Sequence, residues 1–451
     1  MTLKALRVAS ALSIVALVCA AQAGAETFEV TDRNDPAPGD CTKNHCTLRE
    51  AINAANVRSG ADRIKVEGGE RYVLAEQAGP TEYLYWYDPL SIVASGRHLA
   101  TIDAAGIDRA FYGGTKLSLE SIRVTGGVGE GDPVFPLGFG GGIAALDEVE
   151  LIDSKVTGNR AGEQGGGVLV EGFLTMKRSQ VTGNESGDGG GGIVMVAGGQ
   201  IQDSRITGNT AGNFGGGLLI GPPLGNTVTI SRTTVSGNHA VLVSGTDAGG
   251  GGIAIPSGLA KITSSTISGN TSDRTGGGIR VTGANAELRM ENSTVADNDA
   301  REHGGGINAA NGPTIELEAV TIVRNDGDSD DDSVGSGGGV HHVATAGFSV
   351  ANSLIALNAA FAGPDCGGDP FASGGHNLIG DTAGCSGFPV AGDLVDLVPK
   401  LGSLANNGGP TQTVRLKKGS PAIGGAGASA PAKDQRGAKR DAQPDIGAYE
   451  R

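Results

Sequence analysis

Arg280, Asn308 and His341 each stand two residues after the last glycine of a glycine-rich run, Gly278, Gly306 and Gly339 respectively. His303, Asp297 and Asp299 lie in the segments that lead into those runs. These residue types could do chemistry together. A guanidinium holds a carboxylate, and an imidazole or a carboxyl group moves a proton. If equal spacing means equal position on stacked turns, Arg280, Asn308 and His341 form one column. Arg280, Asn308 and His341 would then bind an anionic glycan, Arg280 holding its carboxylate and His303 or His341 moving a proton, with Arg280 and Asp299 as further catalytic candidates. The competing reading is a solvated face with scattered polar groups, and the residues alone favour that one.

The column exists only if the chain repeats. The last glycines of the runs are Gly142, Gly167, Gly192, Gly217, Gly252, Gly278, Gly306 and Gly339, and the first three intervals are each 25 residues. A second series, Asn159, Asn184, Asn209, Asn238, Asn270, Asn298, Asn325 and Asn358, keeps step with it. Between these markers lie short segments with Val and Ile at alternate places, too short for helices and suited to strands. One such unit cannot bury its apolar side chains, but stacked copies can. The expected fold is all-β, a single-stranded parallel β-helix, with roughly ten or eleven coils of about 4.8 Å each over residues 64–360. Asn is expected to take the left-handed conformation at one corner and to stack as a ladder, and Gly is expected to serve the second corner. The 79 glycines among 451 residues and the 4% aromatic content agree with a narrow aliphatic core.

In the same column the earlier coils carry Ala144, Leu169, Val194, Leu219 and Ala254, an outward apolar stripe if the preceding residues point inward. Either an insertion such as Tyr83-Leu84-Tyr85-Trp86-Tyr87 covers it or it is an interaction patch. Those aromatics suit the N-terminal cap more than a sugar platform.

Lys4 and Arg7 before the apolar stretch Val8–Ala21, followed by small residues to Ala25, read as an export signal over residues 1–25. Four cysteines remain after its removal, and proximity favours Cys41 with Cys46 and Cys366 with Cys385 as disulfides. No later stretch is long and apolar enough to span a membrane. A net charge of −15 excludes nucleic acid as an expected partner. The acidic run Asp326–Asp332 offers Asp328, Asp330 and Asp332 as calcium ligands, but it lacks the glycine and distal Glu of an EF-hand, so a solvated insertion is the plainer reading. No other metal or cofactor is expected.

An open solenoid must cover its terminal edges. Thr47-Leu48-Arg49-Glu50 forms a capping box that starts a short helix with Leu48, Ala51, Ile52 and Ala55 on one side. The run Cys46-Thr47-Leu48-Arg49-Glu50-Ala51-Ile52-Asn53-Ala54-Ala55-Asn56 resembles the CSLREA signature of exported bacterial β-helix proteins, with Thr47 where Ser is usual. Gly374–Gly380, Leu404–Thr411, Gly419–Ile423, Asp434–Gly437 and Asp445–Glu450 are similar to the choice-of-anchor Q region. The middle resembles pectin-lyase-like β-helices and the repeats of polymorphic outer-membrane proteins. The resemblance implies a right-handed β-helix over 64–360, an N-terminal cap over 26–63 and a C-terminal cap over 361–451. It also implies a secreted, periplasmic or cell-surface address. It implies no activity, and the chain lacks polygalacturonase-like Asn-Thr-Asp and Gly-His-Gly elements. The expected role is an adhesin-like scaffold binding a polysaccharide or a cell-surface protein, with a lyase or glycoside hydrolase acting on acidic polysaccharide as the alternative.

Overall fold

A computed structural model describes residues 24–36, 39–76, 83–130, 138–221, 225–243, 248–345 and 347–451. The export signal expected over residues 1–25 falls, up to residue 23, outside them. One coil shows the plan. Val168–Val170 is followed by Phe173–Lys177, Gln180–Thr182 and Glu185–Ser186, and a glycine run then leads into Ile193–Met195, which pairs in parallel with Val168–Val170. Repetition builds four parallel sheets of 11, 13, 13 and 7 strands in that order around the coil, about 11 turns in all. Strand residues alternate, so Val181 and Ile206 are fully buried while Gln180 and Arg205 face solvent. The inward residues form one continuous aliphatic core.

The Asn series is a ladder, with one correction. None of its members takes the left-handed conformation; the residue before each does, as at Gly158, Gly183 and Gly208 with φ of 62 to 64°. Glycine bears that conformation without a Cβ penalty. This frees each Asn to turn inward. Asn184 Oδ1 accepts from the backbone N–H and the Nδ2 of Asn159, both at 3.0 Å. Its own Nδ2 donates to Val156 O at 3.1 Å and to Asn209 Oδ1 at 3.0 Å. The ladder ends on Asp365, whose Oδ1 takes both donors of Asn358 and whose Oδ2 takes the Asp381 N–H. Burial pushes the Asp365 carboxyl up to about 6. A second ladder runs through Ser154, Ser179, Ser204, Thr233, Ser265 and Ser293, each hydroxyl accepting the backbone N–H of the preceding rung.

Both ends are closed. The helix Leu48–Asn56 starts at a reciprocal Thr47–Glu50 capping box and buries Leu48, Ala51, Ile52 and Ala55 in the core. The Cys41–Cys46 disulfide pins the approach to it. At the far end His342, Phe348, Phe371 and Phe388 pack in tilted and edge-on contacts as an aromatic plug beside the Cys366–Cys385 disulfide. Both disulfides pair as the sequence suggests. Cys366–Gly368, Ala372–Ser373 and Leu378–Ile379 continue the coil. Beyond them the chain turns back along the rod. An antiparallel pair, Leu401–Ala405 with Thr413–Leu416, and the final segment pack on the outside of the third sheet against Ala296, Val323, Leu354 and Ala356. Gln435 bonds to Ser265 O and Thr294 Oγ1, and Arg440 to Asn292. The last fifty residues thus brace a flank as well as follow an end.

Candidate functional site

The column inferred from the glycine spacing is real. Ala144, Leu169, Val194, Leu219, Ala254, Arg280, Asn308 and His341 pair in register on the 11-stranded sheet. It also extends two rungs toward the N-terminus, through Tyr112 and Tyr85. The aromatic segment is therefore not an insertion over the stripe, and it packs against the N-terminal capping helix. It is the first rung of the same column.

The column faces away from the core, yet most of it is covered. The residue just before each three-glycine run forms its own parallel ladder, Phe139, Gln164, Gly189, Phe214, Gly249, Thr275, His303 and Ser336. This strip folds across the column so closely that a Cβ on Gly165 would lie 2.8 Å from the Leu169 Cβ, and one on Gly276 2.9 Å from the Arg280 Cβ. Glycine at those positions is what lets the strip approach. Leu169 and Val194 are therefore shielded by their own coil and form no exposed patch. The half-exposed side chains of the covering strip, among them Gln164, Phe214, Thr275 and His303, are what solvent meets. The sequence signal for them was the residue preceding each glycine triplet, a column parallel to the one followed.

At the polar end, Arg280 and Asn308 are 5% and 4% exposed, and His341 is half-buried. The Arg280 guanidinium reaches back beneath Gly249 and sits over the Phe214 ring, 5.6 Å from its centroid. Asn308 Nδ2 lies 3.2 Å from His341 Nδ1, which leaves the His341 proton on Nε2 when the amide donates. His303, from the covering strip, stacks on His341 with ring centroids 4.5 Å apart and an angle of 18°. Burial, reinforced by His303 and His342, lowers His341 to about 4. Burial lowers His303 too. Both imidazoles are neutral at neutral pH.

Asp299 is placed elsewhere. It lies on the short fourth sheet in register with Thr271, and its backbone bridges to Asp326. Burial raises its carboxyl, with Asp326 and Asp297 adding to the shift. Asp297 is taken up by Arg324 at 2.7 Å. The structure thus brings together His303, His341 and Asn308, sets Arg280 one rung away, and separates Asp299 from them onto another sheet.

The opposite end is chemically different. Tyr85 and Tyr87 are 43% and 52% exposed, with ring centroids 5.7 Å apart, and Tyr85 stacks on Tyr112 at 5.9 Å. The capping helix fixes this rung. Arg49 Nη1 donates to Tyr83 O while its other nitrogens hold buried Asp35 at 2.8 to 3.1 Å, and Asn56 bonds to both Tyr85 O and the Tyr87 N–H. Arg109, 2% exposed, lies over the Tyr83 and Tyr112 rings at 5.6 and 5.7 Å.

Residues 147–355 match the family model described as a right handed beta helix region. The chain is a right-handed parallel β-helix. Among solved structures it is similar to the pectate lyase Pel9A, with 14% identity, coverage of 94% of this chain and 96% of that one, and a TM-score of 0.47. A search of curated proteins found no match. Among the described residues no helix is long and apolar enough to cross a membrane.

Proposed function

We propose that this β-helix is an exported scaffold that recognises a glycan or a surface protein, and that the tyrosine end of the column is where it does so. The observation that carries this reading is the exposed Tyr85–Tyr87 pair on a rung held rigid by Arg49 and Asn56. A tyrosine offers a broad apolar ring with a polar tip, which suits the apolar face and hydroxyl rim of a sugar. Holding such rings on a strand removes much of the ordering cost of binding. Two disulfides and the resemblance of the terminal signatures to exported β-helix proteins support the address.

A second reading, a lyase or hydrolase acting on acidic polysaccharide, is favoured by the stacking of His303 on His341 beside Asn308. Three features weigh against it. His341 at about 4 is a weak base, Arg280 and Asn308 are buried, and a chain of net charge −15 repels a polyanion.

The test is a panel of neutral and acidic polysaccharides incubated with the purified mature protein, scoring retained binding, unsaturated ends and new reducing ends. Retention that is lost in Tyr85→Ala with Tyr87→Ala supports the scaffold. Cleavage that is lost in His303→Ala or His341→Ala overturns it.

A further inference from the structure

Between Asp326, which still bridges to Asp299, and Ser336, which rejoins the covering ladder, the chain leaves the coil in a loop. Within it Asp328, Asp330 and Asp332 bring carboxylate oxygens to within 4.8 Å of one another. Like charges at that separation repel, and such crowding persists only where water, protons or a cation offset it. Asp330 and Asp332 are exposed, but Asp328 is not: it is 8% exposed, and its Oδ1 is buried with no hydrogen-bond partner. A buried carboxylate oxygen without a donor is costly. The arginines nearest in sequence are committed elsewhere, Arg301 to Asp273 at 3.5 Å and Arg324 to Asp297 at 2.7 Å.

We propose that Asp328, Asp330 and Asp332 form a calcium site at the neck of this loop. Oxygens bound to one calcium ion lie about 2.3–2.6 Å from it, so three oxygens this close can share one ion. Calcium is favoured over magnesium because it accepts irregular oxygen shells completed by water. Magnesium demands a near-ideal octahedron, which one fixed and two exposed carboxylates do not supply. The fixed ligand is tied to the rod: Gly327 N donates to Ala359 O at 2.8 Å and Ser329 N to Ala300 O at 3.1 Å. The ion would therefore fasten the exposed ligands, Asp330 and Asp332, to the coil near Ser336, the residue that pairs with His303 in the covering strip.

Calorimetric titration of the full mature chain with calcium chloride, and terbium luminescence with calcium competition, test the proposal. Saturation at one ion per chain is expected, with a dissociation constant on the order of 10⁻⁴–10⁻³ M as in other exported modules. Asp328→Asn should abolish binding. Because Asp328 is buried, the exposed pair Asp330→Asn with Asp332→Asn serves as the second variant, and it should weaken binding at least about tenfold while leaving the circular dichroism spectrum unchanged. Absence of heat and of terbium luminescence up to about 10 mM calcium overturns the site. So does unchanged binding in the double variant, and equal affinity for magnesium overturns the assignment to calcium.

Discussion

The two ends of one column have the same backbone register and opposite accessibility. At the N-terminal end Tyr85 is 43% exposed, and at the other Arg280 and Asn308 are 5% and 4% exposed. Among the described residues the covering ladder begins at Phe139, after the Tyr85 and Tyr112 rungs, and continues over the rungs of Arg280, Asn308 and His341. Position on a solenoid face is thus insufficient to make a binding surface. What decides is what packs over each rung: the glycine strip over Arg280 and Asn308, and the rings of Tyr83 and Tyr85 over Tyr112, which is 7% exposed.

The comparison breaks first at the ladder common to the repeating coils. Asn209→Ala leaves the N–H and Nδ2 of Asn184 without their acceptor and Val181 O without its donor. The expected loss is about 3–5 kcal/mol in urea unfolding. A smaller change would mean that water replaces the amide.

Glycine substitutions sharpen the contrast directly. A Cβ on Gly249 would lie 2.3 Å from Thr275 O and 2.5 Å from the Arg280 Cδ, whereas one on Gly114, beside the tyrosine rung, would meet nothing within 4 Å. Gly249→Ala should cost about 2–4 kcal/mol and Gly114→Ala under about 0.5 kcal/mol. Equal effects in thermal or urea unfolding would show that the strip is not tightly seated.

The polar end should also be the pH-sensitive one. Burial lowers His341 and His342 from 6.5 to about 4 in the folded protein. As pH falls through that interval the unfolded chain takes up protons that the native chain refuses, so stability declines from about pH 6.5 toward about pH 4. Asp365, raised to about 6, acts in the opposite sense, since the native state gains a proton first as pH falls. The urea midpoint of His341→Gln with His342→Leu should vary less over this range than that of the parent. An identical profile would locate the sensitivity in other groups.

A small stability effect is expected where the binding effect is largest. Tyr85→Ala with Tyr87→Ala removes largely exposed rings and should shift stability by about 1 kcal/mol or less. Retention of a bound glycan should fall at least about tenfold, because aromatic anchors carry a disproportionate share of binding energy. Loss of stability without loss of binding would return these residues to a purely capping role.

Much of this was legible in the residues. The 25-residue spacing placed Leu169, Val194 and Leu219 on successive rungs, and the capping box at Thr47 located the only helix among the described residues. The Asn series signals a ladder, but the left-handed conformation belongs to the residue before each Asn, glycine before the first five and Asp297, Arg324 and Leu357 before the last three, because the amide is needed inside. The Ser154–Ser293 ladder escaped notice because serine is common at exposed turns and its inward direction is not written in its type. Asp299 looked close to His303 along the chain, but a corner intervenes and sends them to different sheets.

The sequence by itself determined the repeat, the coil stacking, the disulfide pairs and the register of the column. All of these follow from periodic local preferences that each coil satisfies in the same way. Only the tertiary structure decided which rungs are open. Exposure depends on how one segment folds over its neighbours, on the glycine strip that shields Arg280 and Asn308 and on the C-terminal segment that returns along the third sheet. The C-terminal contacts join residues far apart in the chain, and the strip, though only four residues from the rung it crosses, covers it through close packing that residue types alone do not encode.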